Sequence, residues 1–188
     1  MLVGTLTLAQ QQRMLELARE VINQAPLYTA QMPNGSSFRY KQTGAGYGWT
    51  SGFGGGYRYQ RSHPVTGQEL PDIPEKLLTL ARHYKLEADA LLVNVYDNGS
   101  TLGLHQDKDE KDLTAPVISI SLGDTANFKI GGRKRSDSCQ TLQLVSGSVM
   151  TLAGEDRLRF HGVAGIVSGT SPIDGLQGRI NLTLRRSQ

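Results

Sequence analysis

The sequence is short of several things, and each shortage excludes a class. It has one cysteine, Cys139, so an internal disulfide framework and any multi-cysteine zinc or iron–sulfur centre are ruled out. No apolar run approaches the roughly 18 residues needed to cross a bilayer. The opening residues MLVGTLTLAQQQR lack a basic stretch followed by a long apolar one, so no signal peptide is read and a cytoplasmic protein is expected. Charge of either sign is modest: 20 Lys and Arg against 17 Asp and Glu leave a net +3 over 188 residues. That mildly basic balance is compatible with a nucleic-acid partner without requiring one. With 38% hydrophobic and 20% charged residues, the composition is not that of a disordered chain.

Glycine is the residue in excess, at 22 positions. Tight turns and close backbone approaches follow, which favours a β-rich fold. The length fits a single domain over residues 1–188. Residues 7–23 have helical apolar spacing with Thr7 as N-cap, and residues 74–84 read as a second helix opening on a proline. Between them, residues 44–59 mix glycine with aromatic rings and read as a mobile loop with stacking side chains, joined to a short hairpin. From residue 90 the texture turns to short strands: 90–96, 101–105, 117–122, 127–130, 141–144, 149–152, 157–160 and 178–185. Eight strands with no helical pattern between them predict a closed or double-sheet antiparallel fold such as a jelly roll. The chain thus divides into helices and loop over about 1–89 and a β core over about 90–188.

Three patterns carry chemistry. His105-Gln106-Asp107 places an imidazole and a carboxylate two apart, on one face if the segment is a strand. His161 follows a strand-like run 56 residues later. Two histidines and one carboxylate match the facial triad of non-haem iron oxygenases, which leaves metal positions open. His63 and His83 read as solvated bystanders. In residues 178–185, Arg179, Asn181, Thr183 and Arg185 share one face, while Ile180, Leu182 and Leu184 share the other. Either the polar face meets water, or it lines a liganded interior and the apolar face packs on helices. Inward arginines would need an anionic ligand, and a small dicarboxylate meets that need. Asn94 with Tyr96, and Ser119 with Ser121, add polar pairs at the same spacing on two more strands.

Taken together, these motifs resemble the AlkB family of iron(II)- and 2-oxoglutarate-dependent nucleic-acid dealkylases. The resemblance runs from Asn94-Val95-Tyr96 through residues 102–110, 119–123 and 154–163 to Arg179-Ile180-Asn181-Leu182-Thr183-Leu184-Arg185. It implies a mostly β (α+β) fold: a double-stranded β-helix (jelly-roll) core preceded by N-terminal helices and a nucleotide-recognition lid. It also implies Fe(II) on His105, Asp107 and His161, and 2-oxoglutarate bound by Asn94, Tyr96, Arg179, Asn181 and Arg185, with O2 as the other cosubstrate. The implied reaction is oxidative dealkylation of bases of the 1-methyladenine or 3-methylcytosine type in single-stranded DNA or RNA, with release of formaldehyde, succinate and CO2.

A methylated base reaches a buried metal only when flipped out or single-stranded. Trp49 is the candidate stacking ring, with His105 on the base's other face and Tyr57 and Tyr59 nearby. Asp109 resembles the family residue that approaches the exocyclic amino group. Gly131-Gly132-Arg133-Lys134-Arg135 is a candidate phosphate-contacting loop, and Arg58 and Arg61 add charge beside the lid. The expected state is a monomer with no membrane attachment. Two departures stand out: the chain starts almost at the first helix, where an initial strand would be missing or shortened, and Gly54-Gly55-Gly56 shifts the spacing after Trp49. Two alternatives remain: a 2-oxoglutarate-dependent hydroxylase of a small molecule or protein side chain on the same core, and a nucleic-acid-binding module without catalysis.

Overall fold

The computed structural model describes residues 1–52 and 56–188. In chain order its elements are β1 (Leu2–Thr5), α1 (Leu8–Gln24), β2 (Lys41–Gly46), β3 (Gly48–Gly52), β4 (Gly56–Gln60), α2 (Glu75–His83) and β5 (Ala90–Tyr96). They continue as β6 (Leu102–His105), β7 (Val117–Gly123), β8 (Thr125–Ile130), β9 (Gln140–Leu144), β10 (Ser148–Leu152), β11 (His161–Val167) and β12 (Arg179–Arg185). Gly54 and Gly55, and with them most of the glycine stretch singled out above, lie outside the described residues.

The strands form a six-stranded antiparallel sheet in the order β1-β10-β7-β12-β5-β2 and a four-stranded one in the order β6-β11-β8-β9. Their inner faces share one apolar cluster, with Tyr96, Val117, Met150 and Leu152 from the larger sheet and Phe128, Ile130, Leu144 and Val163 from the smaller. This is the jelly-roll architecture expected from the strand pattern. A second cluster covers the outside of the larger sheet: Leu91, Val93, Ile118, Ile120, Ile180, Leu182 and Leu184 pack on Met14, Leu15, Ala18 and Val21 of α1 and Leu77 and Ala81 of α2. The strict alternation of β12 is thereby decided. Its aliphatic face is buried against the apolar faces of α1 and α2, and its polar face turns between the sheets.

Local signals account for the helices. Thr7 and Gln10 form a capping box before α1: the Thr7 hydroxyl accepts from the Gln10 amide, and the Thr7 amide donates to the Gln10 side chain. No helix among the described residues is long and apolar enough to cross a membrane.

Several expectations need correction. An initial strand is not missing: a short one, β1, pairs with β10. Of residues 44–59, expected as a mobile loop joined to a short hairpin, the hairpin is present and the described part of the loop is largely strand as well. β2 is the edge of the larger sheet beside β5, and β3 pairs with β4 in a separate hairpin. Residues 157–160 are not a strand. The chain makes a 3-10 turn over Gly154–Asp156 and enters its strand only at His161, since Arg157 is drawn inward by the polar partners described below. His63 is not solvated either. It is buried, with Nε2 on the Pro26 carbonyl at 2.7 Å and Nδ1 accepting from the Val65 and Thr66 amides.

Candidate active site

His105 ends β6 and His161 begins β11, and the two are direct cross-strand partners. Pairing alone therefore sets their rings side by side, with centroids 4.4 Å apart. Gly162 permits the approach: a Cβ there would lie 2.5 Å from the Leu102 carbonyl oxygen and 2.9 Å from that of Gly103. Each imidazole is also tied at Nδ1 to the carbonyl two residues earlier, His105 to Gly103 at 2.9 Å and His161 to Arg159 at 3.0 Å. Those carbonyls only accept, so Nδ1 carries the proton and Nε2 keeps its lone pair.

Both free Nε2 atoms face one carboxylate. His105 Nε2 lies 3.7 Å from Asp107 Oδ1, and His161 Nε2 lies 3.7 Å from Asp107 Oδ2. One donor atom from each of the three residues falls within 4.8 Å of the others. Asp107 does not arrive there by strand alternation, as the spacing predicted. β6 stops at His105, and Asp107 is held in the following loop by two arginines. Arg157 donates to its backbone carbonyl at 2.5 Å, and Arg185 donates to its Oδ1 at 2.8 Å.

The surroundings of His105 and Asp107 suit cation binding. Burial and the neighbouring His161 pull the His105 imidazole down to about 4, although 35% of its side chain still meets solvent. Burial pushes the Asp107 carboxyl up, but Arg185 and the two histidines outweigh it and hold the group well below the usual carboxylate range. Two imidazoles and one carboxylate offer the nitrogen and oxygen donors that suit a non-haem divalent iron.

The polar residues of β5, β12 and β7 form a ladder beside this cluster. Asn181 is in register with Asn94 on one side and Ser121 on the other, and Thr183 with Ser119. Asn181 donates to Ser119 Oγ at 2.9 Å, and Asn94 donates to the Tyr96 hydroxyl at 3.3 Å. Arg179 is 1% exposed. It donates to Ser121 Oγ at 2.8 Å and to the Leu144 carbonyl at 3.3 Å. It has no carboxylate partner among the described residues, and its Nε is unbonded. Burial alone lowers its guanidinium to about 10. A buried cation without a counterion is costly, and an anionic ligand removes that cost. Asn94, Tyr96, Asn181 and Arg185 line the cavity described next, and Arg179 stands two residues from Asn181 on β12, donating to its side-chain oxygen at 3.3 Å.

A single cavity of about 790 Å³ is lined by His105, Asp107 and His161 together with Trp49, Tyr57, Asp109 and Arg135. Trp49 and Tyr57 stack, with centroids 5.3 Å apart and planes at 17°. The Trp49 indole N–H donates to Asp109 Oδ2 at 2.8 Å. Arg135 lies over the Phe160 ring at 5.1 Å. Arg61 does not add free charge beside the hairpin as expected, because Glu69 and Asp72 pair with it at 2.9 and 3.5 Å.

Two residues escaped the sequence reading, Glu110 and Arg157. With Tyr59, expected beside the base, they form a polar knot around Arg185. Glu110 Oε2 accepts from Arg157 at 3.2 Å, and Oε1 accepts from the Tyr59 hydroxyl at 2.5 Å. Only the density of charge in Asp107-Lys108-Asp109-Glu110 hinted at this.

Comparison with known proteins extends the geometry. Residues 1–185 match the model of the 2OG-Fe(II) oxygenase superfamily. The chain is 44% identical over 189 residues to an alpha-ketoglutarate-dependent dioxygenase AlkB homolog of Caulobacter vibrioides, covering 98% of this chain and 86% of that protein. It is 37% identical to the alpha-ketoglutarate-dependent dioxygenase AlkB of Escherichia coli K12, covering 89% and 81%. The solved structure of OsALKBH1 superposes with a TM-score of 0.74 at 30% identity, covering 95% of this chain and 91% of that one.

Proposed function

The chain belongs to the 2OG-Fe(II) oxygenase superfamily, within its AlkB branch, and from that membership we propose that it oxidatively dealkylates N-alkylated bases in single-stranded DNA or RNA. The favoured lesions are of the 1-methyladenine and 3-methylcytosine type. The reaction consumes O2 and 2-oxoglutarate and releases formaldehyde, succinate and CO2. The observation that carries this reading is the shared cavity, in which two imidazoles and a carboxylate converge beside a stacked indole–phenol pair.

In this reading His105, Asp107 and His161 hold Fe(II), which with O2 and 2-oxoglutarate supplies the oxidising chemistry when bound. Arg179 and Arg185 hold the cosubstrate's carboxylates by charge-assisted hydrogen bonds, with Asn94, Tyr96 and Asn181 completing the subsite. The uncompensated charge of Arg179 supports this assignment. The Tyr96 hydroxyl is pushed up to about 12 by burial, so it stays protonated and available to donate. Trp49 and Tyr57 provide the stacking surface for an extruded base; such stacking contributes about 1–3 kcal/mol per base. Asp109 faces the base's exocyclic amino group and complements the positive charge of an N-methylated ring. Arg133, Lys134 and Arg135 contact phosphates. We read residues 1–188 as one catalytic domain that works as a cytoplasmic monomer. Its partners are nucleic acid and 2-oxoglutarate, with no membrane.

Formaldehyde release tests the reading. The Fe(II)-loaded protein is given 2-oxoglutarate, air and single-stranded oligonucleotides that carry one 1-methyladenine, one 3-methylcytosine or no lesion. Formaldehyde stoichiometric with succinate, from the methylated strands only, is expected. Succinate formation that ignores every oligonucleotide and rises with a small molecule or peptide would move the substrate to the alternative hydroxylase class.

A further inference from the structure

The hairpin of β3 and β4 pairs with neither large sheet. Trp49 and Tyr59 are cross-strand partners in it, so their side chains leave the same face. Each is bonded to one of two adjacent carboxylates. Trp49 donates to Asp109, and Tyr59 donates to Glu110. Those acids follow the candidate metal ligand Asp107 by two and three residues. The hairpin is thus fastened, one bond per strand, to the segment that carries the ligand.

Glu110 is more than a fastening. Its side chain is 2% exposed and lies between Arg157 and Arg185. With Asp107 it makes two carboxylates against two guanidiniums, a balanced buried cluster. Arg185 Nε lies 3.3 Å from Glu110 Oε1 but is not aligned to hydrogen-bond it. The Tyr59 hydroxyl donates to that same oxygen at 2.5 Å. Arg185 instead directs one terminal nitrogen to Asp107 Oδ1 at 2.8 Å and the other to the Tyr59 hydroxyl at 3.4 Å. The phenol thus bridges Glu110 and Arg185, and its loss removes one of the two side-chain hydrogen bonds that hold the Arg185 guanidinium among the described residues.

We propose that Tyr59 and Glu110 are positioning residues that hold Arg185 for the 2-oxoglutarate carboxylate and make that hold depend on the seating of the β3–β4 hairpin. Nucleic acid that engages Trp49 and keeps the hairpin seated therefore tightens 2-oxoglutarate binding, and by linkage 2-oxoglutarate tightens nucleic-acid binding to the same degree. The two-state element is the hairpin, docked or undocked on residues 107–110. The inference rests on the functional reading above, in that it takes Arg185 as a cosubstrate ligand and Trp49 as a base-stacking ring.

Calorimetric titration of 2-oxoglutarate into Mn(II)-loaded protein, without O2, reads the effect apart from turnover. It is run with and without a single-stranded 3-methylcytosine oligonucleotide, on wild type, Tyr59→Phe, Glu110→Gln and the double variant. The oligonucleotide is expected to lower the wild-type Kd for 2-oxoglutarate by roughly fivefold or more. Tyr59→Phe keeps the ring and its packing. It is expected to raise the Kd by roughly fivefold to tenfold and bring the oligonucleotide effect close to onefold, with the melting midpoint little changed. The double variant should bind no more weakly than the weaker single one, since both break the same link. Should Glu110→Gln fail to fold because Arg157 loses its counter-charge, Tyr59→Phe alone decides. A Tyr59→Phe protein with wild-type Kd and wild-type coupling overturns the proposal, as does a wild type that binds both ligands without coupling. A wild type that binds no 2-oxoglutarate overturns the functional reading itself, and this inference with it.

Discussion

His105 and His161 face each other across the β6–β11 ladder, each with Nδ1 bonded to the carbonyl two residues before it. The same local arrangement on two opposed strands leaves two Nε2 lone pairs aimed at Asp107. Ligand geometry here is a consequence of strand register, and disturbing the register should disturb the metal.

Gly162 is where that disturbance is simplest. A methyl at this position meets the carbonyls of Leu102 and Gly103, and the Gly103 oxygen is the one that orients His105. Gly162→Ala should cost about 1–3 kcal/mol by overpacking, read from urea unfolding. It should also weaken Mn(II) binding at least tenfold. Unchanged affinity would mean that the backbone contact does not position the ligands.

Arg179 separates stability from function. Its buried charge has no counterion among the described residues. Arg179→Met should therefore leave the ligand-free protein as stable as wild type, or more stable by about 1–4 kcal/mol, while abolishing measurable 2-oxoglutarate binding. Paired chemical denaturation and calorimetry check both halves. A destabilised variant that still binds 2-oxoglutarate would make the residue structural.

Much of this was legible in the sequence. The alternation of residues 178–185 marked two faces, and the matching pairs Asn94/Tyr96 and Ser119/Ser121 fall on the neighbouring strands in register. The two histidines were marked by their setting. Asp107 was found by the wrong geometry. Its spacing from His105 suggested a shared strand face, yet its place depends on Arg157 and Arg185, which come from distant parts of the chain. Glu110 and Arg157 were missed for the same reason. A charged residue reads as solvated until its partner is known, and no local pattern supplies the partner. β11 was misplaced because the apolar and basic alternation of 157–160 imitates a strand, while His161–Val167 contains two glycines that dilute the strand signal. β2, at Lys41–Gly46, likewise holds two glycines and only one aliphatic residue.

Trp49 can be tested by splitting two rates. Trp49→Ala should reduce formaldehyde release from methylated oligonucleotides by tenfold or more, on the order of the ~1–3 kcal/mol of one stacking contact. Substrate-free decay of 2-oxoglutarate should fall by much less. Equal losses in both would assign the ring to the hairpin's own packing on Tyr57 and Phe38.

Acid should reveal His105 in the metal-free protein. Its folded pKa, about 4, lies below the usual value near 6.5. Between those two pH values the unfolded chain binds more protons, so stability falls as pH drops through this window. Urea midpoints of the metal-free protein from pH 7 to pH 4 should decline more steeply for wild type than for His105→Gln. Parallel declines would show that the imidazole is not kept neutral by its surroundings.

The most direct test is a calorimetric titration of 2-oxoglutarate, without O2, into protein that is metal-free or loaded with Mn(II), beside His105→Ala and Asp107→Asn. One equivalent of 2-oxoglutarate should bind the metal-loaded wild type, with much weaker binding to the metal-free protein and to both variants. Binding of equal strength with and without the ion, or Mn(II) retained at full affinity by either variant, would contradict a centre built on His105, Asp107 and His161.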